Sequence, residues 1–387
     1  TSLWKSGMAA IGDDEKHVKT LWKSDHIWVR RTFNITDPAS INDLYLKINH
    51  DDNIEVFLNG KKVYQKNGWT NSFQYQPIRK TDLKKGKNVL AIHVANTAGG
   101  RFLDFGLVDK LKESGPNVQI AVQKDVEITA TQTIYNFVAG KVNLKLTFTS
   151  PLLMDDLTLL SRPISYITYS VRANDGKSHA VDVLLSASSN IAVYKPSQEV
   201  SAQNYGTDHL SILKTGTVEQ PILQKGADDM RIDWGYFYVA ALKKTGAAQF
   251  VTPVGAAVDA FRRGSKVSTV SNGTSLALNT VIPFGSVGNN EVNRFVELGY
   301  DEIYAIQYFK NNLRPWWNNS GKETIEDQLN KAALDYQSVM DKCAAFDKQV
   351  YTDAIKSGGK AEAHLRILAY RQSVEAHTFV QSPASGL

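Results

Sequence analysis

The sequence predicts a mainly β protein whose chain ends in helices, and three observations carry that prediction. Apolar residues alternate with polar ones in short runs through the first 112 residues. From Val118 to about Phe309 strand-like runs follow one another with no helical period. After Pro315 the apolar spacing changes to steps of three and four. Alternation of period two belongs to half-buried strands and a step of three or four to helix faces. A chain of 387 residues exceeds what one hydrophobic core supports, so several domains are expected. The boundaries read as an all-β module over 1–112, a large antiparallel β-sandwich over 117–312, and helices over 322–387.

In the first module Trp28 to Phe33 reads as a strand. Leu44, Leu46 and Ile48 then alternate with Tyr45, Lys47 and Asn49, and Ile54, Val56 and Leu58 run into an Asn59-Gly60 hairpin turn. Lys85-Gly86-Lys87-Asn88 turns the chain into Val89–Val94. The polar stretch His50-Asp51-Asp52-Asn53 has oxygen ligands that could hold Ca²⁺, but such residues more often cap a turn through side-chain bonds to the backbone. Trp22, Trp28, Trp69 and Tyr75 are candidates for a platform on which a sugar ring stacks, with burial in the module as the other reading. Lys112–Pro116 reads as a linker.

In the second region Ser165–Val171 and Val181–Leu185 alternate on either side of Asn174-Asp175-Gly176, which predicts a hairpin. Upstream, Asp155-Asp156 and Arg162-Pro163 place charges and a stiff φ between Leu153, Leu157 and Leu160. That combination fits a salt-bridged corner or part of a site. In the third region Thr324 is the N-cap of a helix, with Asp327 three residues on. Ile325, Leu329, Ala332, Tyr336, Val339, Cys343 and Phe346 form its buried stripe. After Gly358-Gly359 a second helix is expected from about 360 to 380, with Leu365, Leu368, Ala369, Gln372 and Ala376 on one face.

An apolar share of 42% and a charged share of 21% are those of an ordinary globular protein. The net charge of +5 is spread out with no basic run, which argues against nucleic acid and anionic membrane partners. No apolar stretch spans a bilayer and no signal peptide is visible. The single cysteine, Cys343, excludes an internal disulfide and a multi-cysteine metal site, and its place on the apolar stripe makes it a core residue. No cofactor or metal is assigned.

Hydrolysis of an amide or glycosidic bond is commonly carried by carboxylates, and no serine-hydrolase, zinc-protease or nucleotide-binding motif is present. Within Arg231-Ile-Asp-Trp-Gly-Tyr236, following the polar loop Gly226–Met230, Asp233 is a candidate catalytic carboxylate beside the Trp234 ring. A structural bridge from Asp233 to Arg231 or Arg162 is the alternative. Arg371 is the second catalytic candidate, its guanidinium able to grip a carboxylate bidentately, or else to pair with Glu375 one turn on. Arg162, Arg231, Trp234 and Tyr370 are the candidate substrate-binding residues.

Three segments, "SPLLMDDLTLLSRPISYITYSVRANDGKSHAV" from Ser150, "RIDWGYFYVA" at 231–240 and "LAYRQSVEAH" at 368–377, together resemble the glutaminase A-like family of secreted bacterial and fungal proteins. The resemblance spans roughly residues 118 to 380. The run "IWVRRTFNI … LYLKINHDDNIEVFLNGKKV … LKKGKNVLAIHVAN" resembles the galactose-binding-like jelly roll of β-galactosidase-like glycosidases. Together they imply a jelly roll, a large β-supersandwich and the first helices of a truncated (α/α)6 barrel whose remainder lies beyond Leu387. They imply secretion or a periplasmic location. The implied substrate is glutamine, or in the alternative a glycan, with most of the catalytic machinery in the missing helical domain.

Overall fold

The computed structural model describes residues 4–15, 17–41, 44–70, 72–108, 118–224, 231–264, 269–375 and 377–381; the 226–230 loop, the 112–116 linker and Ala376 lie outside the described residues. The chain is mainly β and divides into two compact units, Thr1–Pro116 and Asn117–Leu387.

The first unit is built from β1 (Ile11–Gly12), β2 (Thr20–Leu21), β3 (His26–Ile35), β4 (Leu44–Asp51), β5 (Asn53–Leu58), β6 (Lys61–Lys66), β7 (Gln74–Ile78), β8 (Gly86–Ala95) and β9 (Phe102–Val108). They form two sheets, ordered β2-β1-β9-β4-β7 and β3-β8-β5-β6. The alternation in β4, β5 and β8 sends Leu46, Ile48, Val56, Leu58, Ile92 and Val94 into one core between the sheets. Asn59 (φ 52°) and Gly60 (φ 86°) make the tight turn that pairs Leu58 with Lys61. Both central positions need positive φ, which Asn and Gly tolerate. At the β4–β5 corner the Asp52 carboxylate accepts from Thr97 N (2.7 Å), Thr97 Oγ1 (2.7 Å) and Ala98 N (3.0 Å). Burial works to raise its pKa, but these bonds prevail and hold it at about 2. Asp52 is thus a loop cap, and Trp22 is core at 4% exposure while Trp28, Trp69 and Tyr75 stay exposed.

The second unit begins with β10 (Val122–Ile128), β11 (Gln132–Ala139), β12 (Val142–Thr149), α1 (Leu157–Ser161), β13 (Ile164–Ala173), β14 (His179–Ser188), β15 (Val200–Gly206) and β16 (Leu210–Thr217). It continues with β17 (Tyr236–Leu242), β18 (Ala248–Pro253), α2 (Ala257–Arg263), β19 (Asn272–Gly273), β20 (Leu276–Val287), β21 (Val292–Asp301), the hairpin β22 (Ile306–Tyr308) and β23 (Asn311–Leu313), and α3 (Ile325–Glu375). A nine-stranded sheet runs β10-β11-β12-β13-β21-β17-β16-β15-β19, and β14-β20-β18 form a second sheet. Two apolar clusters fill the space between the sheets, with Leu213, Val239 and Leu278 in one and Ile167, Ile282 and Val296 in the other.

Here a sequence expectation fails. β13 and β14 do not pair: β13 lies between β12 and β21, whereas β14 pairs with β20 in the other sheet. The Asn174–Ser178 turn carries the chain across the sandwich instead of folding it back. The reason lies in burial. β13 is covered on both faces, its Tyr166 by the helix and its Ile167 by the second sheet, so it sits mid-sheet between two partners.

α3 covers the other face of the nine-stranded sheet. Thr324 caps it, its Oγ1 accepting from Asp327 N at 3.2 Å. Ile325, Leu329, Ala332, Val339 and Cys343 pack on Tyr166, Ile212, Tyr238 and Ala240. Burial pushes the Cys343 thiol up to about 11, as befits a core residue. Gly359 (φ 78°, ψ −171°) breaks the helix. In the second half the buried face is Ala363 and Ile367, while Leu365 and Leu368, expected inside, are 64% and 44% exposed.

Candidate functional site

The Arg231–Tyr236 stretch folds into a corner at one end of the nine-stranded sheet. Asp233 is fully buried; its Oδ2 accepts from Gln198 Nε2 at 2.8 Å and its carbonyl from Thr217 Oγ1 at 2.6 Å. A carboxylate with no accessible surface meets no substrate, which corrects the expectation of Asp233 as catalytic acid and leaves it a structural hub. Trp234 is 3% exposed, and its Nε1 donates to the Tyr304 carbonyl at 3.1 Å. It is a wedge between loops and no stacking surface for substrate. Arg231 is exposed. Gly235, at φ 77°, lies so close to β21 that a Cβ there would sit 2.1 Å from the Asp301 carbonyl oxygen, so only glycine fits.

That corner brings into view two residues sequence reasoning passed over. Asp301 and Glu302, at the end of β21, are partly exposed. Burial raises the Asp301 carboxyl, although Ile303 N donates to its Oδ1 at 2.9 Å and Lys214 and Arg314 oppose the rise. Glu302 is pushed up to about 7, first by burial and then by the charge of Asp301. A carboxyl that titrates near neutrality and keeps contact with solvent can both donate and accept a proton at working pH. Close by, Lys214 Nζ lies 3.8 Å over the Tyr236 ring and the Tyr205 hydroxyl bonds Glu326 at 2.5 Å. The signal was legible as two adjacent carboxylates closing an apolar strand.

Arg162, Tyr370 and Arg371 lie elsewhere, at separate points along the seam between α3 and the sheet. Arg162 Nη2 bonds Asp335 Oδ2 at 3.2 Å. The Tyr370 hydroxyl donates to the Leu152 carbonyl at 2.5 Å. Arg371 Nη1 donates to the Gln132 carbonyl (3.1 Å) and Thr133 Oγ1 (2.8 Å), and its Nη2 stands 3.8 Å from Glu375. Tyr370 and Arg371 spend donors on docking the helix and Arg162 spends Nη2, so the expectation of a carboxylate clamp at Arg371 and of substrate contacts at Arg162 and Tyr370 gives way to a structural role. Asp156, from the charged stretch read as a corner or a site, caps α1 through Leu159 N at 3.1 Å and pairs with Lys342 at 2.9 Å.

Under the same seam lies a group with no such use. Glu297 of β21 is 1% exposed, and neither carboxylate oxygen has a hydrogen-bond partner among the described residues. Burial raises its pKa well above the usual carboxylate range, favouring the neutral form, and the charge of Arg162 opposes this. Arg162 Nε and Nη1 are also buried without a hydrogen-bond partner among the described residues.

Residues 131–353, more than half of the chain, match the family described as a domain of unknown function, DUF5127. The chain belongs to this family. The DUF5127 region runs from β11 to the first half of α3, so it contains Arg162, the buried Glu297 and the Asp301–Glu302 corner, while Tyr370 and Arg371 lie beyond it. Glutaminase A of Aspergillus oryzae is 24% identical over 280 residues, which is 69% of this chain and 40% of that protein. The chain therefore spans two fifths of the length of the curated relative it matches. Among solved structures, a protein described as a kojibiose phosphorylase from the human microbiome overlaps at a TM-score of 0.35 with 11% identity, over 66% of this chain and 29% of that one. A glycosyl hydrolase family 2 member from Bacteroides cellulosilyticus overlaps at 0.18 with 11% identity, over 56% and 24%.

Proposed function

We propose that this chain is the β-rich, largely non-catalytic portion of a secreted glutaminase-like amidohydrolase that in its intact form converts L-glutamine to L-glutamate and ammonia. The observation that carries this reading is the 24% identity to Glutaminase A over 280 residues. A supporting role agrees with the fate of Arg162, Tyr370 and Arg371, which dock α3 on the sheet. Within this portion Glu302 is the carboxyl suited to proton exchange with a substrate, since it titrates at about 7 and is partly exposed. No cofactor enters the reaction, because water attack on the amide and protonation of the leaving nitrogen need only acid–base groups.

A second reading has its own observation. On the outer face of the first unit Trp28 is 59% exposed and stacks on His93 (centroids 4.8 Å, interplanar 10°), with His26 beside both. Such a platform suits a sugar ring and favours a region that binds glycans for a glycoside hydrolase. Assays of the intact protein for ammonia release from glutamine and for reducing-sugar release from a glycan panel separate the two. Ammonia release supports the amidohydrolase. Sugar release without ammonia overturns it.

A further inference from the structure

Going beyond that reading, we propose that the free edge of β3 in the first unit is a docking site for an extended, acidic polypeptide segment of another chain, which adds to the sheet as a further strand. Among the described residues β3 pairs along all of His26–Ile35 with β8 and on its other side with nothing, ending the order β3-β8-β5-β6. A strand of that length leaves a row of main-chain donors and acceptors open to pairing, which sheets otherwise blunt or cover.

The edge opens onto a groove of about 1420 Å³ that lies wholly within the first unit. Its floor is the sandwich core itself, with Leu44, Leu90 and Phe105 reached between the two sheets. The core-side residues of β3, Ile27, Val29, Phe33 and Ile35, are only partly buried there. An added strand with an apolar residue at every second position would cover them, while its main chain paired with β3.

Charge names the occupant. Arg31 falls on the core-side face of β3 between Val29 and Phe33, is exposed, and lines the groove. Among the described residues it has no hydrogen-bond or ion-pair partner. A guanidinium set among apolar side chains calls for a carboxylate in whatever covers it. Lys5 and Arg30 add positive charge at the rim, Arg30 standing 5.1 Å from the Trp4 ring centroid, while Lys23 is paired with Glu15 at 3.9 Å and the Asp37 carboxylate caps Ala39 N at 2.9 Å. The same arginines argue against a second copy of this chain: antiparallel pairing of β3 with itself about its centre sets Arg30 of one copy against Arg31 of the other, and like charges facing across strands destabilise the pair.

The test uses the 387-residue chain and two blocked octapeptides, one alternating glutamate with valine and one alternating lysine with valine, with laurate as an acyl carboxylate control. Binding is read by fluorescence anisotropy and by amide hydrogen exchange over 27–33. The expected result is saturable binding of the glutamate peptide, with exchange in β3 slowed about tenfold or more and affinity lowered about tenfold or more by Arg31→Glu, because a close opposite-charge pair is lost. Arg31→Gln, which keeps a polar side chain of similar length, gives an intermediate loss and guards against misfolding of the Glu variant. The proposal is overturned if β3 amides are unprotected at saturating glutamate peptide, if the lysine peptide binds equally, if laurate protects β3 as well, or if sedimentation finds a dimer that Arg31→Glu abolishes.

Discussion

The nine-stranded sheet of the second unit is covered on both faces, and the two covers are attached in different ways. Towards the β14-β20-β18 sheet the contact is made by apolar side chains, such as Leu213, Val239, Leu278, Ile282 and Val296. Towards α3 the apolar stripe is accompanied by polar clamps spaced along the helix. Ala332 O accepts from Tyr166, Tyr336 meets Thr168 at 2.7 Å, Asp347 accepts from Thr131 N at 2.8 Å, and Arg371 reaches β11. Apolar packing supplies most of the stabilisation but is non-directional, whereas the clamps fix where along the sheet each turn of the helix sits. The side chains that looked like a site in the sequence are in large part these clamps.

The comparison is broken most forcefully from the apolar side. Leu278→Ala empties a fully buried position between the sheets and is expected to cost about 2–5 kcal/mol, read as a lower urea midpoint with an unchanged slope. A loss below that range would mean the sheet–sheet layer collapses onto the cavity or contributes less than the helix face.

The Asp301–Glu302 corner gives a smaller effect with a pH signature. The folded pKa of Glu302 is raised to about 7 from an ordinary 4.5, so the folded state binds the proton more tightly. Its stabilising share is present in full below about pH 4.5 and is lost as pH rises to about 7, a fall of at most about 3 kcal/mol. Glu302→Gln removes that fall, and stability measured from pH 4 to 8 should be flatter over this window than in the parent. An unchanged slope would assign the titration elsewhere.

The least costly change sharpens the helix side. Arg371→Met keeps the aliphatic stem but loses the bonds to Gln132 O and Thr133 Oγ1, at an expected cost of about 1 kcal/mol. Hydrogen exchange should quicken in the helical segment after Gly359 and stay unchanged before it. If ammonia release by the intact protein falls while exchange and stability do not move, Arg371 touches substrate after all.

Much of this fold could be read before any coordinates. Leu44, Leu46 and Ile48 alternate because one face of β4 is core, Asn59-Gly60 turns because both residues accept positive φ, and the stripe from Ile325 to Cys343 is helical because each member recurs after one turn. The candidate site was less legible. Asp233 reads as a carboxylate beside the Trp234 ring, but whether it faces solvent or Gln198 depends on segments 35 residues away. Likewise Leu365 and Leu368 look as apolar as Ile367, and only the position of Leu152 and Gln132 beneath Tyr370 and Arg371 decides which face turns inward.

The sequence alone determined the mainly β character, the change of period after Pro315 and the placing of turns and helix caps, because these follow from neighbours within a few residues. Tertiary structure alone decided that β13 and β14 belong to different sheets, that Arg162, Tyr370 and Arg371 clamp a helix, that the Glu297 carboxyl is sealed in, and that β3 has a second pairing edge unused among the described residues. Each of those depends on which distant surface covers a residue, and burial, unlike periodicity, is a property of the packed chain.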